Sequence, residues 1–192
     1  MKLPIVAYGM PVLRKKGVDV DPESEEIRKL IDDMFETMYN ASGVGLAAPQ
    51  VDKSYRLFVI DTTPFADWDE LPEEEKEKLR TRKVFINARK IEEKGEEWDF
   101  EEGCLSIPGI NEKVRRKKQI TLEYLDENGV KHVETFDGLM ARVIQHEYDH
   151  IEGILFTDYL SPLKKRLLKR KLEKISKGEI DVPYKMKFPR RK

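Results

Sequence analysis

The stretch that decides the reading is Asp137-Gly-Leu-Met-Ala-Arg-Val-Ile-Gln-His-Glu-Tyr-Asp-His150. Asp137 stands where a helix N-cap is expected, and Gly153 stands where the same helix stops. Leu139, Val143, Ile144 and Ile151 make this helix apolar, so it belongs inside the molecule. His146 and His150 are one turn apart, so both imidazoles leave the same face and can reach one ion. Glu147 lies between them in rotation and can touch a water molecule at that ion. Buried histidines beside a glutamate need partners, and a metal satisfies them together. The bland alternative is a pair of solvated histidines, which does not suit so apolar a helix.

Outward from this helix, Ile120–Leu125 and Val130–Phe136 flank Glu127-Asn128-Gly129, a hairpin signal. Tyr55–Asp61, Val84–Glu92 and Gly95–Phe100 read as further strands. Asp21-Pro22 reads as an N-cap followed by a proline at the first helical position. It opens an amphipathic helix over residues 22–40 with Ile27, Leu30, Ile31, Met34 and Met38 at helical spacing. Gly43 lies past its end, and the small residues from Gly43 to Gln50 suit close backbone packing. Ser161-Pro162 opens a last helix with Leu163, Leu167, Leu168, Leu172 and Ile175 on one side, ended by Gly178.

The fold class that follows is α+β. Mixed or antiparallel β-strands pack around a central helix that carries the His146–His150 motif, with an N-terminal and a C-terminal helix besides. Residues 1–178 read as a single catalytic domain. Within it, residues 62–82 read as a solvated surface insertion, with an acidic middle (Asp69, Glu70, Glu73, Glu74, Glu75) and one short helix after Pro72. Residues 179–192 read as a basic, loosely ordered tail.

Lys+Arg (36) and Asp+Glu (37) nearly cancel, leaving a formal charge of -1. The chain as a whole therefore has no pull toward nucleic acid or a membrane surface, and no DNA or membrane partner is expected. Cys104 is the one cysteine, so no intrachain disulfide can form. Met1–Gly9 lacks the apolar run of a signal peptide, and no stretch approaches the about 18 apolar residues of a membrane span. A cytoplasmic location is the expectation.

A catalytic ion needs three protein ligands and an open position. No histidine follows His150, and His132 sits in the hairpin, where a cross-strand role suits it. Glu152 and Asp158 remain open as third ligands. Cys104 is the alternative: Gly103 before it permits tight backbone geometry, and Pro108-Gly109 bends the chain after it.

Gly43-Val-Gly-Leu-Ala-Ala-Pro-Gln50, Glu102-Gly-Cys-Leu-Ser106 and Gln145-His-Glu-Tyr-Asp-His150 resemble the three motifs of the peptide deformylases, in the family's order. The resemblance implies that Cys104, His146 and His150 bind one divalent metal ion. Fe2+ is the expected ion, and Zn2+, Ni2+ or Co2+ suit the same donors. It implies that Glu147 is the general acid/base, that Gln50 and the Leu105 backbone N–H hold the substrate carbonyl, and that Gly45 lines the site. Leu139, Arg142 and Val143, with Phe100 and Ile144 nearby, would wall a slot for a methionine side chain. From the residues alone, Leu139 and Val143 are equally consistent with plain core packing. The stem of Arg142 is expected to pack while its charge reaches solvent. Many relatives have an apolar residue there, and Asn111 stands where some have an arginine that contacts the peptide. Glu102 and Asp149 are candidates to orient the ligands.

The implied reaction removes the formyl group from the N-terminal methionine of newly made proteins, so the implied partner is an N-formylmethionyl nascent peptide. The competing reading is a zinc peptidase of the His-Glu-x-x-His type, which leaves Cys104 and the first motif unexplained. A non-catalytic binder of nascent chains has no use for Glu147. The last helix (Lys164, Lys165, Arg166, Lys169, Arg170, Lys171, Lys174) and the tail (Lys185, Lys187, Arg190, Arg191, Lys192) offer either a solvated face or a ribosome contact through polyanionic RNA.

Overall fold

In the computed structural model, which describes residues 1–190, the sheet is antiparallel and five-stranded in the order β2-β3-β4-β5-β6. Its strands are β2 (Gly45–Ala47), β3 (Leu57–Asp61), β4 (Arg82–Cys104), β5 (Ile107–Leu125) and β6 (Lys131–Asp137). The helices are α1 (Glu25–Asn40), α2 (Thr63–Ala66), α3 (Glu73–Leu79), α4 (Gly138–Ile151) and α5 (Pro162–Ser176). A separate parallel pair joins β1 (Ile5–Val6) to β7 (Met186–Lys187). Among the described residues no helix is long and apolar enough to cross a membrane.

The sheet is covered on both faces, which is why β3 reads as an unbroken apolar run. Leu57 and Val59 pack with Ile27, Leu30, Met34 and Met38 of α1. Phe58 and Ile60 pack with Ala141, Ile144, Tyr148 and Ile151 of α4. Burying each such side chain contributes roughly 1.5–3 kcal/mol. The helix that carries His146 and His150 is thus held against a sheet along its length, as its apolar sequence requires.

The region read as two strands, Val84–Glu92 and Gly95–Phe100, is one strand of 23 residues paired with the 19 residues of β5. Register shifts at Lys90/Glu92 and Lys94/Glu97 interrupt the alternation there, so the sequence pattern breaks where the backbone does not. Past the sheet, β4 and β5 continue as a two-stranded ribbon. Trp98, Phe100 and Glu102 lie at alternate positions on β4, opposite Arg116, Val114 and Glu112 of β5.

Other expectations are corrected. The first helix starts at Glu25, with Ser24 at the cap position, because Asp21 Oδ1 accepts the Glu23 N–H in a local turn. Asp137 does occupy the N-cap of α4, but its side chain makes no cap hydrogen bond. In α5 only Leu168, Leu172 and Ile175 are buried, whereas Leu163 and Leu167 are 65% and 70% exposed. The two sets form separate stripes about 130° apart, and one of them faces the core. The tail is not loosely ordered over its described part. Ile180, Tyr184, Met186 and Phe188 pack on the core, and Lys187 sits in the strand beside β1. Arg191 and Lys192 lie outside the described residues. The insertion is also no free excursion: Thr62, Ala66 and Leu79 within it are buried.

Candidate metal centre

Two elements converge on one point. His146 and His150 project from α4, and Cys104 ends β4 at a register irregularity opposite Ile107. One ligand atom from each of Cys104, His146 and His150 lies within 4.8 Å of the others, and Cys104 Sγ is 3.4 Å from His150 Nε2. One thiolate and two imidazoles this close form a soft, borderline donor set for a divalent transition ion. Among the described residues, buried Glu147 Oε2 and His150 Nδ1 have no hydrogen-bond partner. A carboxylate oxygen so placed beside the donors fits a group that engages water or substrate.

Burial and neighbouring charges shift the ionisable groups of the cluster in different directions. Burial disfavours a charged His146, but its hydrogen bonds with Cys104 and Glu102 outweigh that and hold its pKa well above the ordinary histidine value. His146 Nδ1 is 2.9 Å from Glu102 Oε1, which leaves Nε2 for the ligand cluster. Burial, then repulsion from His146 and Arg116, keeps His150 neutral. Burial raises Glu147 to about 7, with His146 opposing and Glu102 and Asp149 adding to the rise.

Beneath the cluster lies a buried ionic layer. Arg116 grips Glu102 bidentately, Nε to Oε2 at 2.7 Å and Nη2 to Oε1 at 3.0 Å, and reaches Asp149 at 2.7 Å. Arg142 Nη1 donates to Glu102 Oε2 at 2.9 Å. Burial opposes ionisation of Glu102, but hydrogen bonds from His146 and Arg116 hold its pKa well below the usual carboxylate range. Two carboxylates and two guanidiniums make the layer formally neutral, which is how it tolerates burial. Glu102 therefore orients His146. Asp149 instead meets Arg116 and the Tyr159 hydroxyl.

On the other side, Gln50 is 2% exposed. Its Oε1 accepts the Ala47 N–H at 2.9 Å, which fixes the amide so that Nε2 faces Ser106 Oγ (3.2 Å) and Cys104 Sγ (3.5 Å). Gly45 presses its backbone onto Glu147: a β-carbon there would overlap Oε1 and lie 2.8 Å from the carboxyl carbon. Gly45→Ala should therefore displace the carboxylate, and a shift of about 1 Å can cost about a hundredfold in turnover. Steady-state kinetics beside unchanged metal content would show it, and full activity would refute the contact.

A cavity of about 490 Å³ opens over the cluster, lined among others by Gly45, Gln50, Phe100, Leu105, Arg142, Val143, His146 and Glu147. Leu139 is not among the lining residues; it packs with Ala66 and Leu79 against the insertion. Ile144 is fully buried against the sheet. Arg142 lines the cavity, yet its charge does not reach solvent. It is 2% exposed, with Nη1 and Nη2 bound to the Val114 and Trp98 carbonyls besides Glu102, because the ribbon closes over it. The downstream carboxylates are committed elsewhere: Glu152 pairs with Arg56 at 2.7 Å and Asp158 with Arg14 at 2.6 Å. His132 pairs with Asp126 and stacks on Tyr124, as a hairpin residue does.

Sequence reasoning missed Arg116, Phe65 and the tail residues Val182, Pro183 and Tyr184, of which all but Arg116 line the cavity. Tyr184 donates to the Leu105 carbonyl at 2.9 Å. The tail carried a signal: Ile180, Val182, Tyr184, Met186 and Phe188 alternate with residues that are mostly charged.

The chain is similar to known proteins over most of its length. The family described as polypeptide deformylase matches residues 2–166. A peptide deformylase from Christiangramia forsetii is 63% identical, with 100% of this chain and 98% of the relative covered. One from Cytophaga hutchinsonii is 55% identical over 100% of both. The crystal structure of a peptide deformylase from Legionella pneumophila superposes with a TM-score of 0.79 at 40% identity, covering 93% of this chain and 98% of that one. One from Ehrlichia chaffeensis gives 0.82 at 35% identity, covering 93% and 97%. With whole-length identity and fold in agreement, the chain belongs to the polypeptide deformylase family.

Proposed function

We propose that this cluster is where the chain performs its family's reaction, the metal-dependent hydrolysis that removes the N-formyl group from newly made proteins and releases formate. The observation that carries the reading is the convergence of Cys104, His146 and His150 beside buried Glu147. Cys104, His146 and His150 would hold one divalent ion. When bound, that ion would supply Lewis-acid polarisation and would lower the pKa of water toward about 7.

This chain's own side chains do the rest. Glu147 accepts the proton of the attacking water and delivers it to the departing amine nitrogen. Oxygen is thereby added to the formyl carbon and hydrogen to nitrogen as the C–N bond breaks. The negative charge that grows on the formyl oxygen meets the Gln50 Nε2–H and the Leu105 backbone N–H. Losing one such donor costs about 2.7–4 kcal/mol of barrier. Phe100, Val143 and the stem of Arg142 offer the methionine side chain an apolar slot.

The family resemblance makes ferrous iron the expected ion, and the cytoplasm the place where formylated chains are met. Anaerobic purification with metal analysis, followed by formate measurement on a formyl-methionyl peptide, tests the reading. One ion per chain and formate release are expected. Bound metal without formate would overturn it, and faster cleavage of internal peptide bonds would favour the peptidase instead.

A ribosome contact is proposed for α5, where exposed Leu163 and Leu167 stand among Lys164, Lys165, Arg166, Arg170 and Lys171. Because Val182–Tyr184 line the cavity, reversing the charge of Lys165, Arg166 and Lys169 is a cleaner test than removing the tail. Salt-sensitive co-sedimentation with ribosomes should be lost. Undiminished binding would retire the contact.

A further inference from the structure

We propose that the insertion after β3 builds one wall of the methionine slot, with Phe65 limiting which side chains enter and Trp68 backing it. The inference rests on the function proposed above and deepens it. Phe65 lies in α2 and lines the same cavity as Phe100, Val143 and the ligand cluster. Its ring meets Trp68 edge-on, with centroids 4.8 Å apart. Trp68 lies 6.4 Å from Phe100, and Phe100 lies 5.3 Å from Trp98. Two rings thus face the cavity and two stand behind them.

A wall selects only if it is held in place, and this one is anchored. Ala66 and Leu79 are each 1% exposed, in a cluster with Leu139. Thr62 Oγ1 donates to the Leu79 carbonyl at 2.6 Å, tying the start of the insertion to its end. Leu139, which does not line the slot, has its role here: it seats the insertion on α4. A flat aromatic wall gives dispersion contact to an unbranched side chain of methionine's length and blocks longer ones.

The test compares wild type, Phe65→Ala and Trp68→Ala on formyl-peptides that begin with methionine, norleucine or the longer 2-aminooctanoic acid. The readout is the kcat/KM ratio of the longest substrate to methionine, which does not depend on the fraction of folded enzyme. Phe65→Ala should raise that ratio about tenfold, the usual effect of a methylene or two in an apolar pocket. Trp68→Ala should raise it by less. Equal losses on all three substrates would mean that the insertion only supports the fold, and would overturn the proposal. Wild type that releases no formate from any substrate would overturn the functional reading as well. Wild type that is active while Phe65→Ala keeps its ratio unchanged would sink this inference alone.

Discussion

Replacing Glu147 with alanine is expected to leave the metal bound and to remove most of the turnover, a fall of about 10²–10⁴ in kcat. Glu147 is buried and sits beside the ligands without being one of the three donors that converge. Removing its carboxylate takes away the proton carrier and leaves the sulfur and both imidazoles in place. Cys104→Ala should do the opposite. It deletes a donor, so metal content falls first and activity follows. Metal analysis of both purified variants beside formate kinetics separates the roles. A Glu147→Ala protein that loses its metal, or a Cys104→Ala protein that keeps it, would show that the assignments are reversed or wrong.

Arg116→Met should destabilise the fold by about 3–5 kcal/mol, the usual cost of breaking a buried ion pair from one side. Arg116 is 7% exposed and serves both Glu102 and Asp149. In the variant Glu102 keeps Arg142 and His146, but Asp149 is left with the Tyr159 hydroxyl and no ion-pair partner among the described residues. The penalty has a pH signature. The pKa of Glu102 is depressed in the folded state, with Arg116 among the causes. Its stabilisation is therefore fully present above the unfolded carboxylate value, about 4.3, and is lost as the pH falls through the depressed value. The gap between wild type and variant should be widest at neutral pH and narrower near about pH 3. Urea denaturation at both pH values measures it. A gap below about 1 kcal/mol at neutral pH would mean that the layer relaxes around the missing charge.

The basic run Arg115-Arg116-Lys117-Lys118 shows why this layer was hidden. As a string it looks like one solvated patch. In the ribbon Arg116 is buried, while Arg115 turns outward to Asp99. Strand side chains alternate faces, so a slip of one position would exchange the two, and only the register with β4 decides which goes in. The same holds for Arg142. Its place on the helix was legible, but its direction was not, because Glu102 and the Trp98 and Val114 carbonyls come from the ribbon. The tail was misread because its charges and prolines outweighed a clear alternation of apolar residues.

By itself the sequence determined what is local. One helix turn places His146 and His150 on a common face with Glu147 beside them, since helical geometry depends on nothing farther away. The hairpin and the covered strand β3 follow from equally short-range patterns. The choice of Cys104 over Glu152 and Asp158 came from resemblance, and only the tertiary structure brought a thiol from the end of β4 to the helix while engaging both carboxylates elsewhere. It alone also decided the orientation of Gln50, the closeness of Gly45 to Glu147, the ionic layer and the wall made by Phe65. Each of these depends on contact between segments far apart in the chain, which local pattern does not encode.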